Sequence, residues 1–326
     1  MAALKGLMRK LAAAVWAAAI FTSFGSLPAG AQDKTLHLVV PFPAGGGIDI
    51  LARLLAPKLQ AALGQTAIVE NKPGGSGFVG TLTVVKAKPD GQYLLQQAMG
   101  MSMNPSIYRN LPYDSRKDLE PVALIGVVPI TLAIGNHVPA KTLQEFIALA
   151  KASPGKYKGA AFVNGAAVLM LQMFNQQAGV DINIINYRGT APAISATISG
   201  ETDFVIMPSV VSSIKEGKVR GLAVAAANRM EELPDLPTTA EAGLPDFKIE
   251  FWFGTFTTAG TPPDVVARLN AEINKATASP EVTAKLKAVG IEARSGTPAD
   301  FREQFHREIK EWGEVVKKSG FKPLEN

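Results

Sequence analysis

Short apolar runs alternate along the chain with longer segments in which apolar residues recur every three or four positions. The run "TLHLVV" leads through prolines and glycines into "IDILARLLAPKLQAALG", where Ile48, Leu51 and Leu55 fall on one helical face. The runs "TAIVEN", "KGAAFV", "INIINY" and "DFVIM" are likewise followed by glycine or proline turns. Strands that alternate with helices predict an α/β fold with mostly parallel sheets, covered by helices on both faces.

The first 31 residues follow a different pattern. Three basic residues precede the apolar run "LAAAVWAAAIFTSF", and small residues stand at Ala29 and Ala31. This run of 14 residues is shorter than the roughly 20 that a membrane-spanning helix needs. We therefore predict a cleavable signal peptide over residues 1–31 and a mature protein in the periplasm.

Composition excludes several classes of function. The chain has no cysteine, which excludes disulfides, thiolate metal sites and a catalytic thiol. Loss of the three basic leader residues takes Lys plus Arg from 33 to 30, against 28 Asp and Glu. This balance gives no support for nucleic-acid binding. No residue pattern indicates a metal site or a cofactor, and we expect neither.

The pattern offers weak candidates for catalysis. The histidines His37, His137 and His306 stand far apart and fit strand, loop or surface positions better than a shared site. Ser153 and Ser212 each stand three residues before a lysine, but the other elements of the S-x-x-K motif are missing. We predict that the chain is not an enzyme; an exported hydrolase is kept as the alternative.

Three glycines form the pattern G-x-G-x-x-G between a predicted strand and a predicted helix: Gly75, Gly77 and Gly80. In a dinucleotide-binding fold this turn follows the first strand directly, and an acidic residue ends the next strand about 20 residues later. Here "ENKP" intervenes and the next strand ends in "LLQQA". We interpret these glycines as requirements of a tight turn and of close packing.

Three consecutive glycines also precede the first predicted helix, within "VVPFPAGGGID" at residues 39–49. A helix start offers unpaired N–H groups and the positive end of the helix dipole, so such a turn can hold an anion without a basic side chain. "PGGSG" and "VNGAA" repeat the arrangement before two later helices. Because the carboxyl ends of parallel strands meet at one edge, we expect these turns to form an anion-binding region. The alternative is that they are tight turns that bind no ligand.

Long stretches of the chain carry a family resemblance. They include "LVVPFPAGGGIDILARLLAPKLQAALGQTAIVENKPGGSG", "NPSIYRNLPYDSRKDLEPVALI", "NYRGTAPA" and "FWFGTFTTAGTPPDVVARLNAEI". In order, over residues 35–320, they resemble the Bug family, the periplasmic solute-binding receptors of tripartite tricarboxylate transporters. The resemblance implies a type II periplasmic binding protein with two Rossmann-like lobes, which closes on a small carboxylate and delivers it to a membrane permease.

The resemblance also implies how the chain is divided. Lobe 1 takes residues 32–130 and 253–326, lobe 2 takes residues 131–252, and the chain crosses between them near residues 127–133 and 249–256. The expected partners are the carboxylate and the permease, and the receptor is expected to act as a monomer. A sensor subunit that signals to a membrane kinase is the alternative, which the sequence does not separate from transport.

In that family the ligand contacts come from the turns between strands and helices of both lobes. The first lobe then contributes Phe42, Pro43, Ala44, Gly45, Gly46, Gly47, Asp49, Gly75, Ser76 and Met101. The second lobe contributes Asn164, Gly165, Ala166, Tyr187, Arg188, Gly189, Thr190, Met207 and Pro208. Near the second crossing the expected contacts are Trp252 and Phe253.

Several positions depart from the family pattern, each by replacing a polar side chain with an apolar one. Ile48 stands where Thr is usual, Met207 where an acid is common, and residues 166–169 read "AAVL" where Ser or Thr is typical. Residues 99–104, "MGMSMN", are also less polar than usual. These departures favour a ligand with an apolar or aromatic body that bears a carboxylate or amide. The alternative is that the methionines belong to the lobe core.

Overall fold

The computed structural model describes residues 35–162, 166–187 and 189–325. The predicted signal peptide and three predicted site residues, Asn164, Gly165 and Arg188, lie outside the described residues. Within the described ranges, no helix combines the length and the apolar character that crossing a bilayer requires.

The strands are short, apart from two long ones that lie beside each other. In chain order they are β1 Leu36–Val40, β2 Ala67–Asn71, β3 Tyr93–Ala98, β4 Leu119–Pro129, β5 Thr131–Gly135, β6 Lys158–Phe162, β7 Asn183–Tyr187, β8 Phe204–Met207, β9 Val219–Val224, β10 Glu250–Thr258 and β11 Glu292–Ala293.

The helices fill most of the segments between the strands. In chain order they are α1 Gly47–Leu63, α2 Phe78–Val85, α3 Gly100–Ile107, α4 Leu143–Ala152, α5 Ala166–Ala178, α6 Thr190–Ser199, α7 Val211–Lys215, α8 Pro263–Thr277, α9 Pro280–Ala288 and α10 Pro298–Ser319. Single 3₁₀ turns at Gly75–Gly77 and Pro208–Val210 lead into α2 and α7.

The strands form two sheets, one in each of two α/β lobes. The first sheet has the order β11-β4-β10-β3-β1-β2, and the second has the order β7-β6-β8-β5-β9. The first takes strands from both ends of the described chain, and the second takes strands from its middle. The predicted two-lobed α/β fold is confirmed.

Both sheets are mixed, which corrects the prediction of mostly parallel sheets. β1 pairs in parallel with β2 and β3, and β6 pairs in parallel with β7 and β8. In contrast, β10 is antiparallel to β3 and β4, and β5 is antiparallel to β8 and β9. The reason is the path of the chain: β4 leaves the first lobe and β10 returns to it, so these neighbouring strands run in opposite directions.

The chain passes between the two sheets at two places that lie side by side. Ile130 alone separates β4 from β5. The return path begins at Ala225, after β9, and reaches Ile249, before β10. Ala225 N donates to Ile130 O (2.8 Å), and Ile249 N donates to Ala225 O (3.4 Å). The lobe boundaries stay a prediction; β10 spans the expected boundary between residues 252 and 253.

The two lobes share one order of parallel strands around a central strand. In the first lobe β1 lies between β2 and β3, and in the second β6 lies between β7 and β8. The chain connects the central strand to one neighbour and then crosses to the other, so the direction of connection reverses at the carboxyl end of the central strand. In α/β proteins ligands bind at this point. In the first lobe, the turn after β1 lies at this point, and it belongs to the described residues.

The C-terminal helix α10 contacts both lobes. On the first lobe, its Phe301 and Phe305 pack on Trp252 of β10, with ring centroids 5.2 and 6.2 Å away. On the second lobe, Gln176 Nε2 of α5 donates to Val315 O of α10 (3.0 Å). One hydrophobic core therefore continues from one lobe into the other.

Candidate ligand-binding site

The carboxyl ends of three neighbouring strands bring together most of the predicted site residues of the first lobe. β1, β2 and β3 are parallel, so the turns after them lie at the same edge of the sheet. Residues 42–47 after β1 and residues 73–76 after β2 are exposed. A Cβ atom built on Gly77 would lie 3.5 Å from the ring of Phe42, so the two turns are in contact. We call residues 41–48 and 73–77 the first-lobe turns.

The turn after β1 leads directly into a helix start. Gly46 is the N-cap of α1, with extended backbone (φ −78°, ψ 166°). The first helical bond runs from Ile50 N to Gly46 O (3.0 Å), so the N–H groups of Gly46, Gly47 and Ile48 have no acceptor within the helix. An exposed helix start with this geometry suits a carboxylate.

The turn after β2 has an uncommon backbone conformation. Gly74, Gly75, Ser76 and Gly77 have φ values of 130°, 51°, 54° and 93°. Among the described residues, Ser76 is the only non-glycine residue with positive φ. Residues held in sparsely populated conformations concentrate at functional sites. The position of Ser76 beside the helix start fits this tendency.

Close packing accounts for Gly80, the last glycine of the G-x-G-x-x-G pattern. A Cβ atom on Gly80 would lie 2.7 Å from Pro41 Cβ and 3.0 Å from Lys72 O. Helix α2 therefore lies against the turn after β1 at a distance that leaves no room for a side chain. Together with the left-handed Gly75 and Gly77, this contact confirms that the pattern serves a tight turn and close packing.

Asp49 supports the turn after β1 from inside. Its side chain is almost fully buried. Its Oδ2 accepts from Gly45 N (2.9 Å) and Arg53 Nε (3.0 Å), and its Oδ1 accepts from Asn71 Nδ2 (2.8 Å). The sequence predicts Asp49 as a direct ligand contact; the structure instead turns its carboxylate away from solvent, onto three donors. The N–H of Gly45 is occupied by the same carboxylate.

Asp49→Asn is expected to destabilise the protein at neutral pH and to have less effect in acid. Its hydrogen bonds, first from Arg53 and then from Gly45 and Asn71, lower the pKa of Asp49 from 3.8 to about 2. Because the folded-state pKa is lower than the unfolded value, the stabilisation is complete above about pH 4 and is lost as the pH falls toward 2. Unfolding measured at about pH 7, 4 and 2.5 checks this, and a stability difference that does not change with pH would contradict it.

Four predicted site residues in the described part of the second lobe lie at or just after the carboxyl ends of its parallel strands, as the first-lobe turns do in the first sheet. Tyr187 ends β7, Gly189 (φ 130°) is the N-cap of α6, Thr190 begins that helix, and Pro208 follows β8. β7 and β8 both run parallel to β6, so these residues lie at one edge of the second sheet. Tyr187 Oη donates to Glu201 Oε1 (2.9 Å). Desolvation and this bond raise the pKa of Tyr187 to about 12, which keeps the phenol protonated.

Three predicted contacts lie in the core. Ala166, at the start of α5, is buried, and Met101 and Met207 expose no surface at all. The sulfur of Met101 accepts from Tyr113 Oη (3.6 Å) and Ser115 Oγ (3.8 Å). The two methionines therefore occupy the positions expected of lobe core, and they do not support an apolar ligand.

Trp252 and Phe253 lie on opposite faces of β10, since neighbouring residues of a strand alternate in direction. Trp252 is fully buried, and its Nε1 donates to Glu308 Oε2 (2.7 Å). The ring of Phe253 lies 3.7 Å from a Cβ position built on Gly47, directly behind the start of α1. Trp252 is thus a core residue, whereas Phe253 supports the first-lobe turns from behind.

Glu308→Gln is expected to gain stability relative to the native protein as the pH rises. Burial raises the pKa of Glu308 above 4.5, although Trp252, Gln304 and Ser102 donate hydrogen bonds to its carboxylate. The folded state then holds a proton that the unfolded state releases, so the free energy of unfolding falls as the pH rises through this window. Denaturant unfolding of both proteins at about pH 4 and 7 measures the change. A free energy of unfolding that falls in Glu308→Gln relative to the native protein between about pH 4 and 7 would contradict it.

A separate cavity of about 930 Å³ lies beside the crossings. Its walls come from α5, α10 and the segments that follow β9 and precede β10, with Gln177, Trp312, Ala226 and Ile249 among them. It contains none of the predicted site residues. Most of the predicted site residues lie instead at the first-lobe turns and at the carboxyl ends of β7 and β8 in the second sheet.

Two residues that support the turn after β1, Arg53 and Asn71, were not predicted from the sequence. Arg53 lies one helical turn after Asp49 and is half exposed. Asn71 ends β2, directly before the second turn. The available signal was an asparagine at the carboxyl end of a parallel strand, since such residues meet at the edge where ligands bind.

Two α/β lobes joined by two adjacent crossings, with an exposed helix start where the strand order of the first lobe reverses, are typical of periplasmic binding proteins. The chain matches the family model described as "Tripartite tricarboxylate transporter family receptor" (TctC) over residues 51–321. It belongs to this family of solute-binding receptors, which confirms the resemblance that the sequence carries.

Relatives of known sequence and structure agree with this assignment. The chain is 36% identical to BugT of Bordetella pertussis over 298 residues, which cover 89% of this chain and 90% of BugT. It is similar to the structure of R. palustris Rpa4515 with adipate (TM-score 0.72, 32% identity, 89% of this chain and 98% of that one). It is also similar to MatC from Rhodopseudomonas palustris with bound malate (TM-score 0.69, 31% identity, 86% and 98%).

Proposed function

We propose that the chain binds a small carboxylate between its lobes and delivers it to the membrane permease of a tripartite tricarboxylate transporter. The carboxylate is held by backbone N–H groups of Gly46, Gly47 and Ile48, and the turns of the second lobe close over it. Closure takes place about the crossing at Ile130 and the return path at residues 225–249, as hinge-bending receptors close around a ligand.

The observation that carries this proposal is the chemistry of the turn after β1. The only acid in the first turn of α1, Asp49, has its charge satisfied internally by three donors. The exposed surface of the turn therefore presents backbone N–H groups and the positive end of a helix dipole without a competing anion. Such a surface attracts a carboxylate and needs no basic side chain.

An apolar ligand body is supported by two side chains next to that surface. Phe42 is 37% exposed although it is aromatic, and Ile48 stands half-buried at the helix start. Neither side chain offers a hydrogen bond to a hydroxyl group, so a hydroxylated acid gains less here than an acid with a hydrocarbon body.

We further propose that the receptor performs no covalent chemistry, acts as a monomer and reaches the periplasm through a signal peptide removed after Ala31. The lobe boundaries at residues 130 and 252 belong to the same proposal.

Candidate catalytic histidines are engaged elsewhere: His137 Nε2 is 2.9 Å from Asp203 Oδ1 at the surface, and His37 stacks on Tyr93. Neither lies at the first-lobe turns.

Calorimetric titration with a set of acids tests the proposal. The set contains adipate, malate and benzoate, other aliphatic and aromatic mono- and dicarboxylates, and the neutral diamide adipamide. We expect an acid with an apolar body to bind most tightly, malate to bind more weakly, and adipamide to bind much more weakly than adipate. Binding of adipamide as tight as that of adipate would contradict an anion site, and heat from none of the acids would contradict the receptor function.

A further inference from the structure

We propose that Asn71 and Arg53 are positioning residues that set the conformation of the turn after β1 before the carboxylate arrives, acting through Asp49. This inference rests on the proposed function. It assigns a role in ligand affinity to two side chains that need not touch the ligand.

The three side chains form a closed ring of hydrogen bonds. Arg53 Nε donates to Asp49 Oδ2 (3.0 Å), Arg53 NH2 donates to Asn71 Oδ1 (2.9 Å), and Asn71 Nδ2 donates to Asp49 Oδ1 (2.8 Å). All three bonds involve at least one ionised partner, Arg53 or Asp49, which makes them stronger than bonds between neutral groups. Each member of the ring therefore holds the other two in place.

The ring leaves no freedom in the orientation of the Asn71 amide. Its Nδ2 faces two acceptors, the Asp49 carboxylate and Phe42 O (3.1 Å), whereas its Oδ1 faces the guanidinium of Arg53, which can only donate. A flipped amide would place its oxygen against two acceptors, the Asp49 carboxylate and Phe42 O, and its NH₂ group against the guanidinium of Arg53, which is a donor. The contacts themselves thus decide which atom is nitrogen.

The ring of hydrogen bonds is connected to both ends of the turn. Asn71 holds the carbonyl of Phe42, where the chain leaves β1, and Asp49 holds the N–H of Gly45, where it approaches the helix. Between these ties lie Pro43 and Ala44, and beyond them lies the helix start. Asn71 belongs to β2 and Asp49 to α1, so the ring fixes the turn to two separate elements.

Fixing the turn in advance has a direct consequence for affinity. Ordering flexible backbone lowers its conformational entropy, which opposes binding. A turn that is already ordered before the ligand arrives does not lose this entropy on binding. Glycine makes the cost high here, because Gly45, Gly46 and Gly47 restrict the unbound chain less than other residues. Without the ring, the same N–H groups would be present but dispersed.

Asn71→Ala tests the inference with two separate readouts. We expect amide hydrogen exchange in a peptide covering residues 41–47 to become at least about tenfold faster. We expect the Kd for adipate to rise about tenfold. The matched control is Asn136→Ala, which removes a comparable bond to a backbone carbonyl, that of Gly217 (2.8 Å), in the second lobe; it should change neither readout.

The outcomes separate this inference from the proposed function. Unchanged exchange in Asn71→Ala would overturn the inference, whatever the affinity, and would leave the receptor function intact. Faster exchange with an unchanged Kd would overturn the link between the order of the turn and affinity, and would also leave the receptor function intact. If Asn71→Ala fails to fold, Arg53→Lys replaces it: lysine keeps the charge beside Asp49 but loses the second arm to Asn71, and it should shift both readouts in the same direction by a smaller factor. An Arg53→Lys protein with native exchange and native Kd would overturn the inference.

Discussion

Gly46→Val is expected to weaken adipate binding at least 100-fold, about 2.7 kcal/mol, in a protein that still folds. The backbone at Gly46 is extended, with φ −78°, a conformation open to any residue. The nearest atom to a Cβ built there is Pro43 O, 4.0 Å away. The valine methyl groups therefore fit the fold but occupy the space in front of the helix start, where the carboxylate must approach.

Gly296→Val provides the matched control for this result. The nearest atom to a Cβ built on Gly296 is Asp300 Oδ2, 3.9 Å away, and the backbone of this residue lies outside the left-handed region. It precedes α10, away from the first-lobe turns. Calorimetry and thermal unfolding should show native stability in both variants and lost affinity in Gly46→Val alone. Retained affinity in Gly46→Val would exclude this turn from the site.

Trp252→Ala is expected to destabilise the protein by about 3–5 kcal/mol. Trp252 is fully buried, its ring stands edge-on to Phe301 with centroids 5.2 Å apart, and its Nε1 donates to Glu308. Alanine leaves a large void among aromatic rings and also removes a donor from a carboxylate that is shielded from water. Trp252→Phe keeps most of the ring and should cost less.

Chemical denaturation of the two variants distinguishes a core residue from a ligand contact. If Trp252 is a core residue, Trp252→Ala should lose much stability, and Trp252→Phe should lose less and leave the Kd for adipate nearly unchanged. A ligand contact would give the opposite pattern. A loss of stability below about 1 kcal/mol in Trp252→Ala, accompanied by lost adipate affinity, would contradict the placement of this residue.

The local pattern of the sequence predicted the parts of the fold that depend on near neighbours. The apolar period of "IDILARLLAPKLQAALG" corresponds to α1, whose buried face includes Leu51, Leu55 and Leu59. The strand "TAIVEN" corresponds to β2. The mixed character of the sheets was missed, because the antiparallel pairing of Glu250 with Pro129 joins residues that are far apart in sequence. A local period carries no information on such a partner.

The candidate site was predicted less completely than the fold, for a related reason. The glycine turns and the helix starts can be found from residue type alone, since glycine and its position before a helix already indicate exposed backbone. Whether a side chain faces the ligand or the core depends on tertiary contacts. Asp49 meets Asn71 across two elements, Met101 meets Tyr113 within the core, and Trp252 meets Glu308 of the last helix; none of these contacts is a feature of a single segment.

In the proposed function, backbone N–H groups of the first-lobe turns hold the carboxylate. The most direct test is nuclear magnetic resonance of protein labelled with ¹⁵N at glycine alone, titrated with adipate. We expect the largest shift changes at Gly46 and Gly47, with smaller changes at Gly75 and Gly189 as the second lobe closes. Adipate binding that leaves the signals of Gly46 and Gly47 in place would contradict it.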